Sequence, residues 1–583
     1  MRSINDIVAR LHELEGEKFP WLLHYQVLAE IFLTRKMDFT RIIVPGQFLQ
    51  ADVFDNTGQF SAYLCSSIFL SMMWPDAART FRLKPDHRLK DIPGVEEYFR
   101  YCTRVMYRAM EKPKAGLSMA LMEHFLDSVI FGTAGIFTDE GPDDEPETPL
   151  RYDAWGVKNM HIAETAQGYV DTVYYVRPLK LRQLMREYSR PGDKIPPSLQ
   201  EKIKRGGGAL DEMIDVLVAI EPKSPEEGKR GVAGMAVRSV HVAIEQRANL
   251  RESGFHEMPV AVGRMFKQLN EALGRSPGML ALADAQSLNI LTEAVLVASE
   301  KALDPPLGVM DDGRLGGGVI DTSARAINVF NTAGRGGNDR PIFPLFTVGE
   351  FQQAGEQQKE LARKIAQAFF LDRLLDLNNN TTMTAYETSV RDKIRGEALG
   401  GVFARQEKEV LTPMIERSFN ILFRKGYLGI IEEGPGAKMN KKWDAIVGAE
   451  RVIVPDVIKQ AIQAGLNVFE VEYISPAKRF QQAEKLKGLL TANDTIANLA
   501  NNPAFAGMID NIDIDKDAHL IFELSGAPME AIRTKEKLTE FRAANKQERD
   551  QQAKLAAGEQ QANIQLKGAQ AKQAVASTPA TGG

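Results

Sequence analysis

At 583 residues the chain is too long for one ordinary hydrophobic core, and its length predicts about three or four structural units. Apolar residues make up 44% and charged residues 26%, which excludes a disordered chain. The net charge of −5 excludes a protein that coats nucleic acid through a basic surface. Only Cys65 and Cys102 are present, so a disulfide framework and a four-cysteine zinc site are excluded, and both are expected as core thiols.

The first 130 or so residues have the spacing of helices, interrupted at Pro45-Gly46, Trp74-Pro75 and Pro85. The N-terminus predicts an amphipathic helix, because its apolar residues recur at helical spacing. The most apolar stretch, Leu117 to Phe137, contains two acidic residues and a histidine, so it does not fit a membrane span of about 20 apolar residues. We therefore expect no membrane partner.

A mixed region follows this helical block. Strands are predicted for residues 170–176, 215–220 and 237–244, where β-branched and aromatic residues gather, and a helix is predicted for 179–187. The fold class predicted from this pattern is α+β, mainly helical.

Two long helical patterns then bracket a small glycine-rich module. The first runs from Ala283 to Leu303 and stops at a Pro-Pro pair, and the second runs from Glu350 to Leu377 and ends in three asparagines. The module between them is rich in Gly, Pro and Asn, with apolar pieces at Ile327–Phe330 and Ile342–Phe346.

Beyond the asparagines a third long helix is predicted from Thr384 to Arg424. We expect it to bend at Gly396 or at Gly400-Gly401, where a break costs least. From Pro528 onward a polar Gln/Ala/Lys/Glu tail is either a helix packed in an oligomer or partly disordered.

Signatures of chemistry are missing from the sequence. There is no Walker-type phosphate loop, no H-E-x-x-H and no G-x-S-x-G. The glycines of GRGGNDR (334–340) do not lie between a strand and a helix start, so turn formation explains them better than a phosphate cradle. We therefore expect no catalytic residue, no metal, no cofactor and no enzymatic activity.

Four cations recur at helical spacing on the second long helix, and these are Lys359, Arg363, Lys364 and Arg373. The ordinary explanation is a solvated helix face, which the sequence alone favours. The alternative is a set of spaced cations that touch phosphates transiently.

Several patches in order resemble the podovirus-type portal, or head-to-tail connector, family. They are ESGFHEMP (252–259) with Arg264 and GRSPGM (274–279), LNILTEAVLVASEKALDPPL (288–307), MTAYE (383–387), LTPMIERSFNIL (411–422), YISPAKR (473–479), IDIDK (512–516) and GAPMEAIRTKEKL (526–538). Leu273 stands where the family has a tyrosine. The resemblance covers most of the chain.

The resemblance implies a ring-forming portal fold with wing, stem, clip and crown or barrel. Its parts are a wing at 1–282 and 383–480, stem helices at 283–303 and 350–376, a clip at 304–349, a tunnel loop at 377–382 and a crown with C-terminal helical barrel at 481–583. The ring, usually of twelve subunits, would lie at the portal vertex of the virion after assembly in the host cytoplasm. It would conduct double-stranded DNA, without sequence preference, during packaging and ejection.

The resemblance also implies partners and sites. The partners are the terminase large subunit, the major capsid and scaffolding proteins, and the tail adaptor. The tunnel-loop residues would be Leu377, Asn378, Asn379, Asn380, Thr381 and Thr382. Clip contacts to terminase or adaptor would be Arg314, Arg335 and Arg340, and the clip residues expected to pack between subunits are Phe330, Phe343 and Phe346.

Two other classes remain open on the sequence. Another phage structural subunit, such as an internal core or tail-tube protein, would share the acidic, motif-poor composition, although it would not need two long helices around a glycine-rich insert. An enzyme with an unrecognised site is the third possibility.

Overall fold

The computed structural model consists of two compact units, Met1–Ala477 and Lys478–Gly583. The structure describes residues 3–75, 79–90, 92–142, 144–223, 235–311, 321, 323–331, 342–344, 352–374, 400–429, 452–464 and 466–474, with 486, 488–496 and scattered single residues or short runs up to 567. In the second unit the longest described stretch, 488–496, is helical.

In the first unit, eleven α-helices and thirteen strands are described from end to end, and residues 400–406 are also helical. The helices are α1 Ile4–Phe32, α2 Thr57–Met73, α3 Val95–Met110, α4 Leu117–Phe131, α5 Leu181–Glu187, α6 Pro197–Arg205, α7 Pro277–Leu303, α8 Gln352–Ala368, α9 Leu371–Leu374, α10 Thr412–Arg424 and α11 Asp456–Gln463. The strands are β1 Phe81–Pro85, β2 Thr133–Glu140, β3 Leu150–Gly156, β4 Met160–Glu164, β5 Val170–Lys180, β6 Met213–Pro222, β7 Val237–Ala243, β8 Ala248–Phe255, β9 Val260–Arg264, β10 Leu307–Asp311, β11 Ile327–Asn331, β12 Ile342–Pro344 and β13 Phe469–Tyr473.

The strands form four sheets, whose orders are β4-β5-β6-β7-β8, β3-β2-β9, β11-β10-β12 and β1-β13. The five-stranded sheet is antiparallel throughout and is covered on both faces. Side chains alternate along a strand, so neighbouring residues of β5 enter different cores. Val173 packs into the main core, which is the largest cluster of buried apolar residues, and Tyr174 packs into a second, smaller core under the first half of α1. The sheet therefore joins the two cores.

Helix α1 spans these two cores. Its first half packs on the five-stranded sheet through Ile7, Leu11 and Leu14, and its second half enters the main core through Tyr25 and Phe32. The spacings of seven residues keep each set on one face. A reciprocal capping box starts the helix, in which Ser3 Oγ accepts from the Asp6 amide at 3.2 Å and the Asp6 carboxylate accepts from the Ser3 amide at 2.7 Å.

The helical block and the mixed region are confirmed in their main elements, and both cysteines are buried in the main core. Burial raises the pKa of Cys65 to about 12 and also raises the pKa of the Cys102 thiol. The prediction of helix alone for the first 130 residues is wrong at Phe81–Pro85, which is a strand. This segment pairs with β13, nearly 400 residues later in the chain, so its local periodicity does not decide its structure.

The second long helix differs from the expected uninterrupted helix over 350–376. Helix α8 ends at Ala368, Phe370 has a φ of 59°, and α9 starts at Leu371. The break allows Phe369 and Leu371 to be buried, and Phe369 packs edge-on against Phe32 with ring centroids 5.5 Å apart.

The third long helix also deviates from expectation. Gly396 lies outside the described residues, so a bend there stays a prediction, and Gly400 and Gly401 are both helical. The described part of this region has an irregularity that the sequence did not predict, a π-helical turn at Glu407–Leu411, immediately before α10. Glu409, in this turn, binds buried Arg264.

Candidate nucleic-acid channel and connector surface

Helix α7 begins inside the core at the GRSPGM patch. Ser276 Oγ accepts from the Met279 amide at 3.0 Å and donates to the Ile130 carbonyl at 2.7 Å, so one hydroxyl caps α7 and ties it to α4. A Cβ at Gly274 would lie 2.6 Å from the Gly132 carbonyl oxygen, and the backbones approach too closely for any larger residue. The patch is therefore a structural anchor for α7.

Helices α7 and α8 pack against each other and run antiparallel. The start of α7 and the end of α8 meet at the same place, because Phe32 contacts Phe369, and Phe32 and Ala285 both lie beside Gly58. Farther along the pair, Gln358 Nε2 donates to Thr292 Oγ1 at 3.2 Å. The expected pair of long helices is thus present, with the first starting at Pro277 rather than Ala283 because the Ser276 cap fixes its N-terminus.

The outer part of α7 presents a large apolar surface. Ala281, Ala285 and Leu288 are buried, but beyond them Ile290, Leu296, Val297 and Leu303 are exposed. Among the described residues, α7 is the one helix whose length and composition would allow it to cross a bilayer. Its buried, capped start ties it to the core of the first unit, and its exposed apolar residues are also what packing between subunits requires.

Three of the four predicted cations lie together on the exposed side of α8. Lys359, Arg363 and Lys364 share this side with Glu356 and Glu360, so it is nearly neutral. Arg363 donates two hydrogen bonds to the Glu360 carboxylate, at 2.7 and 2.8 Å. These bonds lower the pKa of Glu360 and raise the pKa of Arg363. The structure therefore leaves Lys359 and Lys364 as the better candidates for phosphate contact.

The fourth cation and the loop residues are not joined to this group. Arg373 lies on α9, beyond the break at Phe370, and not on the same helix as the other three. The six predicted tunnel-loop residues, Leu377 to Thr382, lie outside the described residues. Those assignments stay predictions.

The small module between α7 and α8 contains a three-stranded sheet. Strand β10 pairs in parallel with β11 and antiparallel with β12, and both apolar pieces expected from the sequence contribute strands. Phe330 is opposite Met310 in the register, and Phe343 is opposite Gly308. Arg314, Arg335, Arg340 and Phe346 lie outside the described residues, so their predicted roles stay predictions.

Buried charges hold α10 in place, and of these the sequence patches named Arg264 without giving it a role. Arg264, 2% exposed at the end of β9, donates from Nη2 to Glu409 at 2.8 Å, from Nη1 to Glu164 at 2.8 Å and to the Gly168 carbonyl at 2.8 Å. Lys267 also binds Glu164. Burial opposes ionisation of Glu164, but hydrogen bonds from Lys267 and Arg264 outweigh it, so its pKa is lowered.

The π-helical turn and Gln406, the residue before it, each direct a side chain toward this region. Glu409 accepts from both the backbone amide and the guanidinium of Arg264, and fully buried Gln406 lies 3.3 Å from His124 Nε2 through its side-chain oxygen. Burial lowers the pKa of His124 to about 4. A π turn contains one more residue than an α-helical turn, so it changes which side chains face the core. This accounts for the position of the π turn at residues that contact Arg264.

Two of the sequence patches contact each other directly. Glu257 of ESGFHEMP binds Arg424 at 2.9 Å and Arg417 of LTPMIERSFNIL at 3.3 Å, and Arg417 Nε also donates to the Thr138 carbonyl at 2.6 Å. An acidic residue in one patch and two arginines at or near another are a sequence signal for this contact. The patches are thus parts of one framework rather than separate sites.

Over the described part of the chain, no group of three or more His, Cys, Asp or Glu residues could hold a metal ion. The geometry consists of a framework with two projecting helices and a small sheet between them. A family model described as bacteriophage head to tail connecting protein matches residues 5–532. The chain belongs to this family.

Relatives and solved structures are similar to this connector over most of its length. It is 24% identical over 465 residues to a probable portal protein of Bordetella phage BPP-1, covering 78% of this chain and 81% of the relative. It is 24% identical over 568 residues to a portal protein of Salmonella phage epsilon15, covering 94% and 92%. A chain in the neck of an empty gene transfer agent particle matches with 13% identity and a TM-score of 0.32, covering 77% of this connector and 91% of that chain. A chain in the neck of the native particle matches with 13% identity and a TM-score of 0.31, covering 69% and 93%.

Proposed function

We propose that the chain is a portal subunit that forms a ring, of about twelve copies, at one vertex of a phage capsid. Double-stranded DNA passes through the ring during packaging and ejection, and the protein has no catalytic role. The observation that carries this proposal is the family match over residues 5–532. Both curated relatives described above are named portal proteins, which supports the same function.

In this proposal the antiparallel helices α7 and α8 are the stem; α7 covers the predicted range 283–303 and starts six residues before it, and α8 lies within the predicted range 350–376. The residues between them, 304–349, are the clip, and 377–382 are the tunnel loop. The wing comprises 1–282 and 383–480. The crown and C-terminal barrel comprise 481–583, a range that starts close to the compact unit at Lys478.

The proposed partners follow from these parts. The clip binds the terminase large subunit first and the tail adaptor afterwards, through contacts that include Arg314, Arg335 and Arg340. Capsid and scaffolding proteins surround the ring at the vertex during assembly in the host cytoplasm. Three strands are too small a sheet to bury a core of their own, so Phe330, Phe343 and Phe346 pack between neighbouring clips.

The nearly neutral face of α8 suits a conduit. A duplex carries one negative charge per about 1.7 Å, so a strongly cationic wall would hold DNA and oppose its movement. With Glu356, Glu360 and Arg363 largely balancing each other, Lys359 and Lys364 supply weak, sequence-independent contacts. This arrangement lets the duplex slide.

The first test is class averaging of the purified full chain by negative-stain microscopy. We expect closed rings of about twelve subunits with a central hole of roughly 20 Å or more, wide enough for duplex DNA. Monomers or open filaments at micromolar protein would contradict the proposal.

A second test replaces Lys359 and Lys364 together by Gln. We expect rings in normal yield, a shallower dependence of DNA binding on salt, because fewer counterions are released, and altered DNA packaging or retention. The matched control is Lys301→Gln, at the far end of the stem. Dissolution of the ring in the double variant would show that the two lysines hold subunits together instead.

A further inference from the structure

A long connection between α1 and α2, which we call the arm, comprises residues 41–53. Both of its ends are fixed. Before it, the Thr40 amide donates to Gln26 Oε1 at 3.0 Å. At its end, Asn289 of α7 accepts from the Phe54 amide at 2.8 Å and donates to the Asp52 carbonyl at 3.0 Å. The arm is therefore a defined projection whose far end is attached to the stem helix.

Among the described residues, the hydrogen bonds of the arm between these attachments are local. One turn is closed by two bonds: the Gln47 amide donates to the Val44 carbonyl at 3.0 Å, and the Val44 amide donates to Gln47 Oε1 at 3.3 Å. In the next turn the Val53 amide donates to the Gln50 carbonyl at 3.3 Å. Ile42 is 96% exposed, Phe48 75% and Val44 63%.

The composition of the arm is that of an interface core. Its sequence, RIIVPGQFLQADV, contains two charged residues, and one of them, Arg41, already pairs with Glu30 at 3.1 Å. Depletion of charge with exposed aromatic and aliphatic side chains marks the buried centre of stable interfaces. The exposed side chains amount to an apolar patch on the order of 400 Å², about half of the ~800 Å² that one partner contributes to a standard interface.

We infer that the arm packs against a neighbouring copy of this chain and latches the ring. This inference rests on the proposed function. The argument for a second copy is continuity, because exposed Leu296 lies seven residues after Asn289 and therefore on the same face of α7 as the residue that holds the arm. The attachment of the arm and an exposed apolar residue of α7 thus lie on one face of the helix, and homo-oligomer interfaces are the more apolar class. In a head-to-tail ring this surface meets a different surface of the next subunit.

The first experiment tests the double variant Ile42→Asp/Phe48→Asp in the full chain by mass photometry. We expect the protein concentration for half-assembly to rise on the order of 100-fold or more, because two large apolar side chains are no longer buried at each interface. Its circular dichroism and melting temperature as a monomer should match those of the wild-type monomer. The control is Leu269→Asp, at a residue that is 86% exposed outside the arm, and it should assemble as the wild type does.

The outcomes separate the arm from the ring itself. If the wild type and the arm variant form rings equally well, the latch is overturned and the portal proposal stands. Equal loss in the Leu269→Asp control would also overturn it, because the effect would then come from any added surface charge. Wild-type protein that forms no ring would contradict the proposed function first.

The second experiment identifies what the arm touches. A photo-reactive benzoylphenylalanine replaces Phe48, and irradiated rings are separated under denaturing conditions. We expect a ladder of covalent dimers and higher multimers, with cross-linked peptides that join residue 48 to a second copy. Cross-links confined to the same chain would overturn the inference, and the same probe at Leu269 gives the background.

Discussion

Replacing Arg264 by Met should lower the free energy of unfolding of the first unit by about 1.5–3 kcal/mol, because it removes a buried guanidinium that donates charge-assisted hydrogen bonds to two half-buried carboxylates. Arg264 reaches Glu164, Glu409 and a backbone carbonyl at once, all at 2.8 Å. The measurement is a comparison of urea or thermal denaturation of the variant and the wild type. The melting temperature should fall by several degrees even for a chain of this size.

The control for this prediction is an exposed ion pair. Arg100 binds Glu96 one helical turn away at 2.7 Å with both side chains in solvent, so Arg100→Met should change stability by no more than about 0.5 kcal/mol. Adding Glu409→Gln to Arg264→Met should cost less than the sum of the single changes, because the two residues share one network. Equal, small effects at Arg264 and Arg100 would show that the buried network does not stabilise α10.

The sequence predicts elements well where local pattern and burial agree. The two helices around the glycine-rich insert, the strands at 170–176 and 237–244 and the core position of Cys65 all follow from periodicity or composition. In each case neighbouring residues carry the whole signal.

The failures occur where distant residues decide local structure. Phe81–Pro85 becomes a strand because β13, far along the chain, supplies its hydrogen-bond partner. The π turn at Glu407–Leu411 depends on Arg264 and His124, which no helix pattern around residue 409 reveals. The end of α8 at Ala368 depends on burial of Phe369 against Phe32, not on a helix-breaking residue.

The candidate site shows the same division. Spacing alone placed Lys359, Arg363 and Lys364 on one face of a helix, and the structure agrees. The pairing of Arg363 with Glu360, which changes the charge of that face, needs side-chain geometry, although its three-residue separation is a usable signal. Exposure of the arm is invisible in the sequence, because RIIVPGQFLQADV has the composition of a buried segment.

Replacing Lys18 by Met should remove a pH dependence of stability that the wild type has on the alkaline side. Lys18 is a buried residue of α1, and its Nζ donates to the Lys158 carbonyl at 2.6 Å and to the Met160 carbonyl, in β4, at 3.1 Å. The pKa of Lys18 is lowered to about 7, and burial is the main cause. Of the nearby charges, Glu15 raises this pKa and Lys158 lowers it. The ordinary pKa of a lysine in the unfolded chain is about 10.4.

The sign of the effect follows from which state binds the proton. Between pH 7 and about 10.4 the unfolded chain holds a proton on Lys18 that the folded protein does not, so the stability of the folded state rises with pH across this window. The destabilisation is fully present below pH 7, on the order of 4–5 kcal/mol, and absent above about pH 10.4. His161, whose pKa is lowered to about 3 by burial and by Lys18, stays neutral throughout.

Lys18→Met removes the charge but also leaves the two carbonyls without a donor, at about 1–3 kcal/mol each. The net change at pH 7 is therefore small, and the decisive measurement is the slope of unfolding free energy against pH from 7 to 10. We expect that slope to be lower in Lys18→Met than in the wild type, since one proton fewer is linked to unfolding. Lys204→Met, at an exposed lysine of α6, should keep the wild-type slope. Parallel curves for Lys18→Met and wild type would show that Lys18 is charged in the folded protein, and the two carbonyls would then stabilise an ammonium rather than a neutral amine.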